Sequence, residues 1–118
     1  MKENILKQKS FKFAVRIIKL NNYLRKQHNE HVLANQILRC GTSIGALIRE
    51  AEHAESRPDF IHKLSISLKE TNECKYWLDL LIASSLVTKA MYESLNKDCE
   101  EILKLLTAII KSCKYQTR

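Results

Sequence analysis

The chain has 118 residues, with 20 Lys and Arg against 13 Asp and Glu, giving a formal charge of +7. A 45% apolar and 28% charged composition excludes a disordered chain, and the length supports a single domain, 1–118, with one modest core. No apolar run approaches the ~20 residues of a membrane span, and "MKENILKQKSFKF" has no secretory apolar core, so a cytoplasmic protein without a membrane partner is expected.

The charge is uneven. Residues 1–28 hold eight bases and one acid, which equals the whole excess, while the other 90 residues balance twelve against twelve. A localised positive surface attracts nucleic acid or anionic membrane, or keeps a helical protein soluble. Two glycines and one proline are too few for a loop-rich or sheet-rich chain and favour long helices.

The first helix is predicted over about 10–27. Phe11, Ala14, Val15, Ile18 and Leu24 form its apolar stripe, widened by Phe13, Ile17 and Leu20. Lys9, Lys12, Arg16, Lys19 and Lys26 follow at helical spacing and form a basic stripe that includes Tyr23. "HNEH" at 28–31 reads as the turn, with Asn29 as cap.

The second helix is predicted over about 30–55. Val32, Leu33, Ile37, Ile44, Leu47, Ile48 and Ala51 supply its buried side, with Ala34, Gly41 and Gly45 as a small-residue face. A glycine inside a helix costs about 0.5–1 kcal/mol relative to alanine, so these two predict the close approach of a neighbouring helix.

"SRPD" at 56–59 opens the third helix, about 58–84. Ser56 caps it, Asp59 stands in the reciprocal position, and Pro58 lies in the first turn, where a missing N–H is harmless. Phe60, Ile61, Leu64, Leu68, Thr71, Trp77, Leu78, Leu81 and Ile82 form its apolar face. Asp59 with Lys63, and Lys69 with Glu73, are expected as i, i+4 surface pairs. The fourth helix is predicted over about 89–114, capped by Thr88. Its stripe is Met91, Leu95, Cys99, Ile102, Leu106, Ile109 and Cys113, while Lys97, Lys104 and Lys111 repeat at seven and share a solvated face. Four helices with short connections predict an all-α, antiparallel up-down-up-down four-helix bundle. The breadth of the stripes leaves apolar surface over and predicts a homo-oligomer.

The chemistry-bearing residues point away from catalysis. Cysteines at 40, 74, 99 and 113 lie too far apart for a metal knuckle or redox dithiol and are expected as reduced packing residues. His28 and His31 sit at a turn without an acid triad. Glu50-x-x-His53 with Glu70 and Glu73 resembles half of a di-metal carboxylate site, but no second Glu-x-x-His follows. The reading preferred here is a polar network of Arg39, Arg49, Glu50 and Glu70 between helices. Ser43 has no catalytic partner at a recognisable spacing, and the glycines do not form a phosphate loop. No cofactor, metal or catalytic residue is expected.

Residues 36–70, "QILRCGTSIGALIREAEHAESRPDFIHKLSISLKE", followed by "NECKYWLDLL", resemble the small four-helix-bundle proteins called 23S rRNA-intervening-sequence proteins. Gln36, Ile37, Arg39, Ser43, Ile44, Glu50, Asp59, Phe60, Ser67, Leu68 and Glu70 match the family pattern in order, and the likeness covers about 8–114. The chain departs from the commoner Asn-Ile-Ala-Glu-Gly version with "LIREAEHAES", as a sibling branch would. The resemblance implies a cytoplasmic bacterial bundle, a ring-like pentamer, and no established catalytic residues. Some members are encoded inside inserts in ribosomal RNA genes. A related bundle, the accessory variability protein of diversity-generating retroelements, binds nucleic acid and a reverse transcriptase through a basic surface. The expected function is thus non-enzymatic: RNA or DNA binding through Lys9, Lys12, Arg16, Lys19 and Lys26, or scaffolding of a nucleic-acid-associated protein. The alternative is a protein-interaction module with a protein partner and no nucleic-acid affinity.

Overall fold

A computed structural model describes residues 2–116. Four helices follow in order: α1 Lys2–His28, α2 Val32–Glu52, α3 Arg57–Ala83 and α4 Lys89–Gln116. Each packs on the next, and α1 packs on α4, closing an up-down-up-down ring about 49 Å long. Neither diagonal pair, α1 with α3 or α2 with α4, brings its backbones close together among the described residues.

The core follows one spacing rule. In α1 the inward residues are Leu6, Ser10, Phe13, Ile17, Leu20 and Leu24; in α3 they are Leu64, Ser67, Thr71, Cys74, Leu78 and Leu81. Alternating steps of three and four keep a seam turned to neighbours that cross at about 20°, which is the geometry of bundle packing. α2 repeats it with Ala34, Ile37, Gly41, Ile44, Ile48 and Ala51. In α4, Leu95, Cys99, Ile102, Leu106 and Ile109 do the same.

This corrects the expected stripe of α1. Phe11 is 58% exposed, Ile18 45% and Val15 39%, and the residues read as widening the stripe are instead its centre. Ser10 explains the displacement. A polar side chain breaks the apolar pattern, yet it is buried where α1 approaches Gly45 and donates its hydroxyl to the Lys7 carbonyl at 3.1 Å. The helix also starts eight residues earlier than expected, because Leu6 belongs to the same seam. Val32, expected in the core, is 71% exposed at the start of α2.

The glycines of α2 do what their cost demanded. A Cβ on Gly41 would meet Ile17 at 2.8 Å, and one on Gly45 would meet Ser10 Oγ at 3.4 Å. These two contacts set the height of α1 on α2. Ser67 ties α3 to α2 by donating its buried hydroxyl to the Ile44 carbonyl at 3.0 Å.

The turns differ in how they are made. Asn29 does not cap α2; it takes a left-handed φ of 50° and ends α1, and the Glu30 N–H returns to the Leu24 carbonyl at 3.1 Å. The cap of α2 is the Glu30 carboxylate, which accepts from the Leu33 N–H at 2.9 Å. Ser56 caps α3 as expected, its Oγ accepting from the Asp59 N–H at 3.2 Å. Asp59 answers one residue further back than a capping box requires, accepting from the Glu55 N–H at 3.1 Å. After α3, Ser85 at φ 60° forms a Schellman stop, with Leu86 N–H on the Leu81 carbonyl at 2.9 Å and Ser85 N–H on that of Ile82 at 3.1 Å. Thr88 caps α4 by accepting from the Met91 N–H at 3.1 Å.

Candidate nucleic-acid interface

The five basic residues singled out on α1 separate into two groups. Lys9 and Arg16 turn toward α4. Lys9 donates to Glu101 at 2.7 Å; Arg16 donates to Asp98 at 2.6 Å and to Ser94 Oγ at 2.8 Å. The Glu101 carboxylate raises the Lys9 pKa, chiefly through their hydrogen bond, and is itself lowered by it. The two residues therefore clamp the α1–α4 seam.

Lys12, Lys19 and Lys26 are different. All three are exposed and form no salt bridge or side-chain hydrogen bond among the described residues. Their seven-residue spacing returns each to nearly the same side of α1, roughly 10.5 Å beyond the last. They line the solvent side of the helix. Beside them, toward α2, run Phe11, Val15 and Ile18, with the Arg49 guanidinium 5.7 Å from the centre of the Phe11 ring. The outward face of α1 is thus half basic and half apolar.

The expected network of Arg39, Arg49, Glu50 and Glu70 does not form as one unit. Arg39 reaches across to α3 and pairs with both Glu70, at 3.0 Å, and Glu73. Glu73 Oε2 also accepts from the Trp77 indole at 3.4 Å. Glu50 pairs with Lys63 at 3.2 Å, and Arg49 lies over Phe11. The reason is distance along α2: ten residues separate Arg39 from Arg49, roughly 15 Å. These partners also displace the expected local pairs, since Lys63 bonds Glu50 rather than Asp59, and Glu73 bonds Arg39 rather than Lys69. Glu70 and Glu73 are held by an arginine and Glu50 by a lysine elsewhere, so the carboxylates do not converge on a di-metal site. Among the described residues, no three His, Cys, Asp or Glu side chains are placed to hold a metal ion.

Three thiols that lie far apart in the chain meet in the core. Cys40, Cys74 and Cys99 come from α2, α3 and α4, and all are buried and unbridged. Hydrogen bonds with the Cys40 and Cys99 thiols, together with burial, push the Cys74 pKa well above its ordinary value. The contact with Cys74 lowers the Cys40 pKa in turn. Cys113, near the end of α4, is partly exposed.

No described helix is long and apolar enough to cross a membrane. The molecule is a small, closed, all-α bundle with charge on its outer surfaces and apolar and thiol groups in its core. The sequence profile of the 23S rRNA-intervening sequence protein family matches residues 2–108, and the chain belongs to that family. Among solved structures it is similar to a protein of unknown function from the S23 ribosomal protein family of Bacteroides thetaiotaomicron. The two are 58% identical with a TM-score of 0.93, over 94% of this chain and 99% of the other. No curated protein matches.

The family pattern is largely architectural in this chain. Ile37 and Ile44 are core residues, Ser67 joins two helices, and Arg39 and Glu70 pair between the same two. Glu73 was missed as the second acceptor for Arg39; Trp77, one turn further on, also donates to it.

Proposed function

We propose that this chain is a non-enzymatic, self-associating bundle of the bacterial cytoplasm that binds RNA or DNA through the basic face of α1, directly or as a scaffold for a nucleic-acid-associated protein. The observation that carries this reading is the row of Lys12, Lys19 and Lys26, whose charge no acidic side chain among the described residues neutralises. Such a row follows phosphates without reading bases, giving affinity with little sequence selection. Lys9 and Arg16 join it only by giving up Glu101 and Asp98.

The test is an anisotropy titration of the purified protein against a labelled structured RNA and a matched DNA, at low and at physiological salt. Saturable binding at physiological salt, lost when Lys12, Lys19 and Lys26 are changed to Gln, is the expected result. Binding confined to low salt, or unaffected by the three changes, overturns it.

A second reading, a protein-interaction module without nucleic-acid affinity, is favoured by the exposed row of Phe11, Val15 and Ile18. Rows of this kind beside a polar rim are contact surfaces. Self-association uses the same row, and a ring of copies would cover it while leaving the α4 side of α1 open. Absence of nucleic-acid binding, with a stoichiometric protein partner that nuclease does not release, would decide for the module.

A further inference from the structure

We propose that the groove between α3 and α4, near the C-terminal end of α4, seats an unpaired base of a nucleic-acid strand against Tyr115, with Lys104 and Lys111 holding the neighbouring phosphates. The inference rests on the nucleic-acid reading above for its class of ligand, and it places a contact on a different helix.

The groove is a cavity of about 350 Å3, lined by Leu68 of α3 and by Thr107, Ile110, Lys111, Lys114 and Tyr115 of α4. Ile110 is buried and Leu68 half-buried, and together they supply its apolar surface. The size falls within the roughly 300–1,000 Å3 of small-ligand pockets. The Thr107 hydroxyl donates to the Leu103 carbonyl at 2.8 Å, so it has only lone pairs to offer the edge of a base.

Tyr115 is 75% exposed and makes no hydrogen bond, ring contact or cation contact among the described residues. The other exposed rings are already engaged. Phe11 has the Arg49 guanidinium 5.7 Å from its centre, and Tyr76 packs edge-on to Trp77 at 5.3 Å. A bare ring beside an apolar cavity is a platform for another flat face.

The surrounding charge is positive. From Ile102 onward the chain has no Asp or Glu, and Lys104, Lys111 and Lys114 fall in this stretch. Lys104 and Lys111 are exposed and form no salt bridge among the described residues. The last acids of α4, Glu100 and Glu101, are paired with Lys75 and Lys9. Lys97, Lys104 and Lys111 step by seven, and Tyr115 lies about five turns beyond Lys97, so ring and charges share the outward side of α4. Lys111 stands one turn from Tyr115, and Lys104 roughly 10.5 Å further.

A row of cations that ends in a free ring is the combination that binds single strands: the cations follow the backbone and the ring stacks on a base. A duplex keeps its bases paired and leaves Tyr115 unused. An acidic peptide uses the lysines without requiring the ring.

The experiment measures, by anisotropy, the Kd of a fluorescent twelve-base DNA strand, of the same strand as RNA and of the matching DNA duplex, as a function of KCl. The unaltered chain is compared with Tyr115→Ala, with Tyr115→Phe and with Lys104→Gln plus Lys111→Gln. The α1 triple, Lys12→Gln with Lys19→Gln and Lys26→Gln, and a control, Lys69→Gln with Lys89→Gln, complete the set. All the substituted side chains are exposed, and circular dichroism checks that each protein is folded. Tyr115→Ala is expected to raise the Kd of the strand by roughly 5- to 150-fold, the loss of one stacked base, and to leave its salt slope and the duplex Kd unchanged. Tyr115→Phe should bind like the unaltered chain. The α4 lysine pair should lower the log–log salt slope for the strand by about 1.4, since each contact contributes about 0.7, while the control leaves it unchanged.

A Tyr115→Ala protein that binds both strands like the unaltered chain overturns the inference, and the α1 reading stands if the α1 triple is weakened. A loss in Tyr115→Ala with none in the α1 triple upholds the inference and moves the nucleic-acid contact from α1 to α4. Tyr115→Phe losing as much as Tyr115→Ala overturns stacking, and an equal loss for duplex overturns the unpaired base. A control that lowers the slope as much as the α4 pair, or displacement of the strand by polyglutamate at equal charge, overturns it as charge attraction or an acidic-peptide site. No binding of either strand or of the duplex by the unaltered chain overturns both readings.

Discussion

Gly41 and Ile17 are packed so closely that a β-carbon on Gly41 would stand 2.8 Å from both Cγ1 and Cγ2 of Ile17. The isoleucine is fully buried and branched at Cβ, so it has little room to turn away. Gly41→Ala is expected to destabilise the fold by about 1–2 kcal/mol, overpacking of ~1–3 kcal/mol being partly offset by the better helix propensity of alanine. Gly45→Ala meets Ser10 atoms at 3.4 Å and beyond, ordinary contact distances, and should be neutral or stabilising by up to ~1 kcal/mol. Urea melts of the two variants check the contrast; equal losses would show that the contact with Ile17 is not what requires a glycine.

Ser85 holds a left-handed φ of 60° without being glycine. That conformation costs an L-residue roughly 1–2 kcal/mol. Ser85→Gly should therefore raise stability by about 1 kcal/mol, while Ser85→Ala should not. Thermal denaturation distinguishes them.

The ion pairs of α4 make stability depend on acid. Hydrogen bonds from Lys75 and Lys9 lower the pKa values of Glu100 and Glu101 below the ordinary 4.5. A carboxyl group lowered on folding contributes stability above its unfolded pKa and loses it as pH falls through the folded value. The urea midpoint should therefore decline below about pH 4.5, and less steeply in a Glu100→Gln, Glu101→Gln protein. Lys9 is raised from 10.5, so its share is present below that pH and lost above it.

Thiol chemistry should divide the four cysteines. Cys113 is partly exposed, whereas Cys40, Cys74 and Cys99 are buried. A disulfide reagent should titrate one thiol rapidly in the folded protein and all four in denaturant, with Cys113→Ser abolishing the fast phase. A fast phase that survives this change would place a second cysteine near the surface.

Self-association should depend on the outward apolar row. Phe11→Ser with Ile18→Ser removes two side chains that are 58% and 45% exposed in the single chain, so monomer stability should hardly change. Sedimentation should report an assembly for the unaltered protein and its loss in the variant. A monomer in both cases, or an assembly in both, counts against this row as the contact.

The amino-acid sequence by itself determined the four helices, their order and the close approach of a neighbour to α2, because these rest on local signals. Scarce glycine and proline favour long helices, Ser56 and Thr88 mark starts, and two mid-helix glycines are too costly without a neighbour. The family was legible for the same reason, since Ile37, Arg39, Ser67 and Glu70 hold the bundle together at fixed spacings. Which face of α1 turns inward was decided by tertiary structure alone. Phe11, Val15 and Ile18 form as good a local stripe as Phe13, Ile17 and Leu20, and Ser10 spoils the true one until Gly45 is seen opposite it. Charge followed the same rule. The five bases of the α1 row looked alike until α4 placed Glu101 beside Lys9 and Asp98 beside Arg16, leaving Lys12, Lys19 and Lys26 to the solvent. A side chain's own identity sets its charge, but only the helix packed against it decides whether that charge is already spent.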